Sequence, residues 1–304
     1  MKEVRRERAP GPGSLYVVAT PIGNLEDITL RALRVLSQSD LILAEDTRRT
    51  ARLLNHYGIG TRLLSLHQHN ERRRIEETVS RLEAGANVAL VSDAGTPLIS
   101  DPGFPLLRAI IGRGLGAVPV PGPSAVTAAL SIGGLATDRF LFVGFLKARA
   151  AARRAQLQAL APLPDTLVLL ESPVRIRALL GDLVQCFGGD RQAALARELT
   201  KLHEAVSRGT LEGLTRGVSS GEIPERGEFV VLVAGASGSV SAADGSAAVG
   251  LEKLLPLLLA ELPLKRAVSL AVRITGERRN VVYRTALAMI SGPQVASGSK
   301  DTSD

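Results

Sequence analysis

The chain has 304 residues, of which 45% are hydrophobic, enough for two globular domains with a core each. Its net charge of +7 favours anionic partners, nucleic acid first, although an arginine-rich composition can also follow from genome base composition. The single cysteine, Cys186, excludes an intrachain disulfide and a clustered-cysteine metal site. No run reaches the roughly 18 apolar residues of a membrane helix, and "MKEVRRERAPGPG" lacks the apolar core of a signal peptide, so we expect a cytoplasmic protein without membrane contact.

Strand-like runs alternate with helical patterns through the first half of the chain. The runs are "LYVVA", "DLILAED", "RLLSL", "NVALVSD" and "GAVPVPG", and a helical pattern follows each of them. This alternation is typical of an α/β fold with a largely parallel sheet. We therefore predict an N-terminal α/β domain over residues 14–120, preceded by a disordered basic tail, residues 1–13.

The composition changes at "PVPGPSA", where we predict a domain boundary. Beyond it, "FLFVGFL", "DTLVLLES", "RQAALARELT", "EAVSRGT" and "EFVVLVAGA" follow one another with short connections, which predicts a mixed or antiparallel sheet in a second α/β domain, residues 121–236. Residues 237–250 are rich in Ser, Gly and Ala and predict a flexible linker. We predict a small helical domain over residues 251–291 and a disordered tail over residues 292–304.

Three loops rich in proline and glycine follow strands of the predicted N-terminal sheet: "TPIGN", "SDAGTPLISDPG" and "PGPSA". In an open α/β sheet, ligands bind in the crevice outside the carboxyl ends of the strands. The first loop occupies the position where nucleotide cofactors dock, yet it lacks the G-x-G-x-x-G pattern. The second carries Asp93 and Asp101 and enough exposed backbone to cradle a ligand, with a tight structural loop as the alternative.

Charged side chains cluster where other strands end. Glu45 and Asp46 end the second strand beside Arg48, which suits catalysis or phosphate contact and equally suits simple helix capping. His67 and His69 have no third ligand at a useful spacing, so we predict no metal site. In the second half, "LLESPVR" and "ARELTKLHE" offer further polar groups to an interdomain cleft: Glu171, Arg175, Arg197, Glu198, Thr200, Lys201 and His203.

Taken together and in this order, these segments resemble the tetrapyrrole methylase family of S-adenosylmethionine-dependent methyltransferases. Within that family they resemble a branch that methylates small-subunit ribosomal RNA. The resemblance rests on "VATPIGNLEDIT", "LILAEDTRRTARLLNHYGI", "VALVSDAGTPLISDPG", "VPVPGPSAVTAAL", "LVLLESPVRI" and "ARELTKLHEAVSRGTL", with "LPLKRAVSLAVRITGERRNVVY" for the C-terminal helices. It covers residues 15–286, apart from the linker.

The resemblance implies two α/β domains with S-adenosylmethionine bound in the cleft between them, usually in a homodimer. The implied reaction is methylation of the ribose 2′-hydroxyl of a cytidine in the decoding region of 16S ribosomal RNA, with the small ribosomal subunit as partner. Two alternatives remain: an enzyme of the same fold that methylates a corrin precursor or a protein side chain, and a non-catalytic RNA-binding assembly factor. The "TPIGN" loop and the helical module count against the first, and the intact cleft loops against the second.

Under this resemblance, the three loops and the end of "LVLLES" provide the binding site for the methyl donor. The adenosine and methionine parts of the donor need backbone donors and acceptors with little side-chain bulk around them. We expect the donor to contact Pro21, Gly23, Asp93, Ala94, Gly95, Ser124, Ala125 and Leu170.

A ribose hydroxyl is a poor nucleophile, so a general base would assist the transfer. Glu45 and Asp46 are the acidic pair that we favour for this role. Glu171 is a further candidate, and Lys201 a weaker one because it must first lose its proton. Separately, we expect two arginines to hold phosphate or carboxylate, and basic residues of the C-terminal module to follow RNA phosphates: Arg48 and Arg197, then Lys265, Arg266, Arg273, Arg278 and Arg279.

Overall fold

The computed structural model describes residues 11–67, 70–236 and 251–291. Within these ranges the chain forms ten strands and eleven α-helices, with one 3-10 helix between the first strand and the first helix. The chain divides into two compact units, Met1–Gly238 and Ser239–Asp304. The domain boundaries drawn from composition stay predictions. Residues 1–10, 68–69, 237–250 and 292–304 lie outside the described residues, and with them most of the predicted N-terminal tail, His69, the predicted linker and the predicted C-terminal tail.

The first sheet has five parallel strands in the order β3-β2-β4-β1-β5. The strands are β1 (Ser14–Val18), β2 (Leu41–Ala44), β3 (Leu63–Ser65), β4 (Val88–Val91) and β5 (Gly116–Val120). Four helices alternate with them: α1 (Leu30–Gln38), α2 (Thr47–His56), α3 (Glu71–Glu83) and α4 (Phe104–Gly112). Pro119 lies in β5, an edge strand. A proline, which has no backbone N–H, is tolerated there because an edge strand has a partner on one side only.

Helices cover both faces of this sheet, which is why its central strands are continuously apolar. In β2, Leu41 and Leu43 pack with residues of α3 and α4, whereas Ile42 and Ala44 pack with residues of α1 and α2. Successive side chains of a strand point to opposite faces, so "LILA" must be apolar at every position. The continuous apolar runs seen in the sequence are therefore those of a parallel sheet buried between two helical layers.

The second sheet is mixed, with the order β6-β7-β10-β8-β9. Its strands are β6 (Phe140–Gly144), β7 (Thr166–Glu171), β8 (Gln192–Arg197), β9 (Ala205–Thr210) and β10 (Phe229–Val233). Only the β6–β7 pair is parallel, and the other three pairs are antiparallel. Helices α6 (Ala150–Leu160), α7 (Ile176–Phe187) and α8 (Leu211–Ser220) pack on one face, and α5 (Ala125–Gly133) packs on the other. The predicted α/β class is confirmed, with a parallel and a mixed sheet.

The second compact unit contains three helices: α9 (Leu251–Glu261), α10 (Leu264–Thr275) and α11 (Arg279–Ser291). Leu255, Val268 and Val282, one from each helix, meet in its buried core. Gly276 ends α10 with φ of +70°, the left-handed conformation that glycine adopts without a steric penalty. No helix among the described residues is long and apolar enough to cross a membrane.

Candidate active site

The loops after β1, β4 and β5 meet at one edge of the parallel sheet. Because the strand order places β1 between β4 and β5, the carboxyl ends of these three strands are neighbours. Thr20 and Gly95 exchange two backbone N–H···O hydrogen bonds of 2.9 Å each, which joins the first loop to the second. The Thr96 hydroxyl donates to the carbonyl of Pro123 at 3.2 Å, which joins the second loop to the third.

A cavity of about 220 Å³ lies between these loops and the second sheet. Its walls include six residues that the sequence predicted as donor contacts: Asp93, Ala94, Gly95, Ser124, Ala125 and Leu170. A second cavity of about 430 Å³ adjoins it, and the two share a wall formed by Ile22, Ala125, Phe145, Leu170 and Glu228. The predicted contacts are thus together in space, although their individual roles stay predictions.

Gly95 is required by the backbone of the second loop. Its φ is +78°, and a Cβ built there would lie 3.3 Å from the Ile22 Cγ2 atom. A side chain at this position would therefore be strained and would also press on the wall shared by the two cavities. The small side chains of Ala94 and Ala125 complete a lining that leaves room for a ligand against the backbone.

The two remaining donor predictions lie outside this cavity. Pro21 lines a separate recess of about 160 Å³ together with Arg49 and Arg52. Gly23 faces the β8–β9 connection, since a Cβ built on it would lie 2.4 Å from the Lys201 Cγ atom. The close approach of the first loop to this connection is enough to explain the small residue at position 23, and donor contact by Pro21 and Gly23 stays a prediction.

Asp46 caps α2, as one of the two interpretations from the sequence expects. Its carboxylate accepts a hydrogen bond from the Arg48 backbone N–H at 2.8 Å and forms an ion pair of 2.8 Å with the Arg48 guanidinium. The hydrogen bonds from Arg48 hold the pKa of Asp46 well below its usual range. The geometry favours capping over proton transfer for this residue.

Three carboxyl groups lie near one another where β2 and β4 end. Asp93 accepts the Asp46 N–H at 2.9 Å and pairs with Arg49 at 3.3 Å. Burial raises the pKa of Glu45, the charges of Asp93 and Asp101 raise it further, and Arg49 opposes them. Burial also raises the pKa of Asp101, a hydrogen bond with Ser92 lowers it, and the charge of Asp93 raises it. Together with Asp46, these acids outnumber the two arginines beside them, Arg48 and Arg49.

Glu171 and Arg197 end β7 and β8 in the second sheet. The side chain of Glu171 is fully buried, forms part of the wall of the larger cavity and pairs with Arg175 at 3.2 Å. It also accepts the Ser172 N–H at 2.8 Å. The Arg197 guanidinium donates to the Arg226 carbonyl at 3.5 Å and is not part of the wall of either cavity. The structure thus brings Glu171, but not Arg197, to the cavities.

Lys201 bridges two acids in the β8–β9 connection. Its ammonium group bonds Glu198 at 2.8 Å and Glu228 at 3.0 Å. Burial opposes the charge, but these hydrogen bonds raise the pKa of Lys201 above its usual value. Glu198 and Thr200 have φ of +52° and +64°, a strained conformation for residues other than glycine. Lys201 is held as a cation, which disfavours it as a base.

The sequence predicted neither Ile22, between the predicted contacts Pro21 and Gly23, nor two further residues in the wall that the cavities share. Phe145 follows β6 and keeps 58% of its surface exposed, and Glu228 precedes β10. Phe145 continues an apolar strand pattern and Glu228 is an acid directly before one, so neither carries a local signal. The proline and glycine content of the three loops was the signal that located the rest of the site.

Comparisons with known proteins agree with this architecture. Residues 14–215 match the family described as Tetrapyrrole (Corrin/Porphyrin) Methylases, and residues 244–290 match the RsmI C-terminal HTH domain. The chain is 53% identical to ribosomal RNA small subunit methyltransferase I of Pseudomonas aeruginosa over 277 residues, covering 90% of this chain and 97% of the relative. It is 46% identical to the protein of the same name from Escherichia coli O157:H7, covering 90% of this chain and 95% of the relative.

Solved structures show the same fold. The methyltransferase CobJ is 21% identical with a TM-score of 0.56, covering 75% of this chain and 97% of that one. Uroporphyrin-III-C-methyltransferase from Thermus thermophilus is 25% identical with a TM-score of 0.51, covering 72% of this chain and 94% of that one. From its match over residues 14–215 and from its relatives, the chain belongs to the tetrapyrrole methylase family, in the group of proteins named ribosomal RNA small subunit methyltransferase I.

Proposed function

We propose that this protein transfers a methyl group from S-adenosylmethionine to the ribose 2′-hydroxyl of a cytidine in the decoding region of 16S ribosomal RNA. Relatives named for methylation of small-subunit ribosomal RNA, which match along 95–97% of their own length, support the substrate class. The observation that carries the proposal is the cavity beside the three loops, whose walls contain six of the residues that the sequence predicts to contact the donor.

The cavity fits the donor in size and lining. Volumes of about 220 and 430 Å³ share one wall and are together large enough for a nucleoside with an amino-acid chain. Ala94, Gly95 and Ala125 would hold it through backbone groups, and Leu170 would contact its apolar parts. When bound, the donor supplies a methyl group on a positively charged sulfur, an electrophile that needs no metal.

The work of the chain is to position the acceptor and to shield the reaction. An in-line displacement requires the attacking oxygen within about 3–3.5 Å of the methyl carbon, so rigid walls supply much of the effect. Ile22, Phe145 and Leu170 form an apolar wall that keeps water from competing with the ribose hydroxyl. The hydroxyl must also lose its proton, and a carboxylate that reaches the cavity is suited to accept it.

We further propose that the acceptor RNA lies in the small ribosomal subunit, that the enzyme works as a homodimer, and that it acts in the cytoplasm. The net charge of +7 supports an RNA partner, because each neutralised phosphate releases a counterion. The exposed arginines of the helical unit, among them Arg278 and Arg279, would add phosphate contacts.

Radiolabelled S-adenosylmethionine tests this function directly. Small subunits and free 16S RNA from cells lacking the protein are incubated with the purified chain, and the labelled nucleotide is mapped. We expect label on one decoding-region ribose, with subunits labelled faster than free RNA. Label on a tetrapyrrole or a protein side chain, with none on RNA, would overturn the proposal.

A further inference from the structure

Most carboxyl groups that face the two cavities are already committed to a cation or to backbone donors. Asp93 pairs with Arg49 and accepts a backbone N–H, as described above. Glu228 pairs with Lys201 at 3.0 Å. Glu171 pairs with Arg175 and accepts the N–H of the next residue. Each of these three carboxylates thus already has a cation within 3.3 Å.

Asp101 differs from them. It is half-buried, contributes to the wall of the smaller cavity and forms no ion pair with any residue in the described part of the chain. The charged groups around it are Asp93 and Glu45 at the ends of β4 and β2, Arg49 on α2, and Glu228 across the cavity. Three of these four are acids, so the surroundings favour the protonated form of Asp101 once a proton is offered.

The loop holds Asp101 in a fixed place. Leu98 and Ser100 have φ of +73° and +70°, conformations that cost residues other than glycine of order 1–3 kcal/mol each and persist only where the surroundings impose them. Gly103 closes the loop with φ of +118°, and a Cβ built on it would lie 2.9 Å from the Leu98 Cδ2 atom. Ser100 packs against Gly144 of β6, where a Cβ would lie 2.8 Å from the Ser100 hydroxyl oxygen. Both sheets therefore constrain this segment.

We infer that Asp101 is the general base of the reaction, an inference that rests on the proposed function. Its carboxylate takes the proton of the ribose 2′-hydroxyl while the oxygen forms a bond to the methyl carbon. The bond from that carbon to sulfur breaks, and its electron pair stays on sulfur, which leaves as a neutral thioether. The proton on Asp101 then passes to solvent, so atoms and charge balance over the cycle.

This role predicts a pH dependence with a definite sign. Asp101 must be ionised to accept the proton, so kcat/KM rises with pH and levels off above its pKa. Burial and the charge of Asp93 raise that pKa, and the hydrogen bond with Ser92 offsets only part of the rise, so the acid limb lies above the usual value of an aspartate, about 3.9. A general base of raised pKa also suits proton transfer near neutral pH better than an ordinary carboxylate does.

Replacement of Asp101 tests the inference with a change of one atom. Asp101→Asn removes the acceptor but keeps the shape of the side chain, and we expect kcat to fall by about 10²–10⁴-fold. We expect the affinity for S-adenosylhomocysteine, measured by calorimetry, to change less than threefold, and the acid limb of the remaining activity to disappear. Asp101→Glu should restore part of kcat. Asp165→Asn is the matched control. Asp165 directly precedes β7, at the end of that strand away from the cavities, and pairs with Arg139.

Thermal unfolding provides a readout that does not depend on activity. A protein loses stability as pH rises through the pKa of a carboxyl group whose pKa is raised by folding, because ionising that group costs more in the folded than in the unfolded state. Asp101→Asn should therefore have a higher Tm than the wild type at pH 7, and the difference should vanish below about pH 4. A residue needed only for structure would give a lower Tm on substitution.

The outcomes separate the two proposals. If the wild type methylates RNA and Asp101→Asn keeps kcat within threefold and the same acid limb, Asp101 is not the base while the function stands. If Asp101→Asn loses donor affinity or Tm along with kcat, Asp101 has a structural role and the inference is overturned. If the wild type transfers no methyl group to any RNA, both proposals fall.

Discussion

Gly95 has to be glycine for two independent reasons, and only one of them concerns a ligand. Its φ of +78° alone costs a residue with a Cβ about 1–2 kcal/mol. The Cβ would also enter the wall of the smaller cavity, 3.3 Å from Ile22, where we propose that the donor binds. The two effects can be separated by comparison with a glycine that has the same backbone conformation in open space.

Gly95→Val is predicted to abolish measurable binding of S-adenosylhomocysteine, a loss of at least about 100-fold, which corresponds to about 2.7 kcal/mol. Gly58→Val is the control: Gly58 has φ of +64° and no atom within 4 Å of a built Cβ, so it carries the backbone cost alone. Isothermal calorimetry on both variants, after circular dichroism shows that they are folded, measures the difference. Equal affinities would show that the donor does not lie against Gly95.

The sequence revealed much of the site at this scale, but not how the acids divide their roles. Asp93, Gly95 and Ser124 were found because proline- and glycine-rich loops at strand ends have a recognisable composition. By contrast, the sequence alone does not distinguish Asp46 from Asp101 as a proton acceptor. The structure shows that Asp46 forms an ion pair with Arg48, whereas Asp101 has no cationic partner in the described part of the chain. Such pairings depend on the tertiary structure and cannot be inferred from the local sequence.

At the scale of the elements, apolar runs predicted the strands well and their arrangement poorly. Leu41–Ala44 and Val88–Val91 were identified because buried parallel strands are apolar throughout. The strand order, and with it the meeting of the three loops, depends on which strands pair, and no local pattern records that. The position of β10 between β7 and β8 in the second sheet is of the same kind.

One ion pair between two helices is buried in the helical layer of the second sheet. Arg153 of α6 and Asp182 of α7 form an ion pair of 2.7 Å with only 6% and 10% of their side chains exposed, and Arg154 joins them at 3.2 Å. Removing one partner of a buried pair leaves an uncompensated charge, which costs more than the pair itself contributes.

Asp182→Ala is therefore predicted to lower the free energy of unfolding by about 3–5 kcal/mol in urea titrations. Glu83→Gln serves as the comparison, because Glu83 forms a surface pair with Arg113 in which about half of each side chain is exposed, and such pairs contribute about 0–1 kcal/mol. A loss below about 1 kcal/mol for Asp182→Ala would mean that the two arginines reach water when their partner is removed.

For the molecule as a whole, net positive charge alone does not distinguish contact with RNA from general attraction. Both predict weaker binding at higher salt, but only a direct phosphate contact contributes its own step to the slope. Arg278 directly precedes α11 and Arg279 begins it; both are exposed, and neither forms an ion pair within the described residues. Arg113 and Arg139, in contrast, are paired with Glu83 and Asp165.

Two double variants of equal net charge exploit this contrast. Arg278→Gln with Arg279→Gln is predicted to reduce the slope of log K against log [salt] for RNA binding by about 0.7–0.9 per lost contact, with donor affinity unchanged. Arg113→Gln with Arg139→Gln removes the same charge, but its arginines already have acidic partners, so its slope should stay close to that of the wild type. Filter binding of a 16S RNA fragment between about 50 and 200 mM salt measures both. Equal slopes for the two variants would mean that the helical unit attracts RNA through net charge without touching its phosphates.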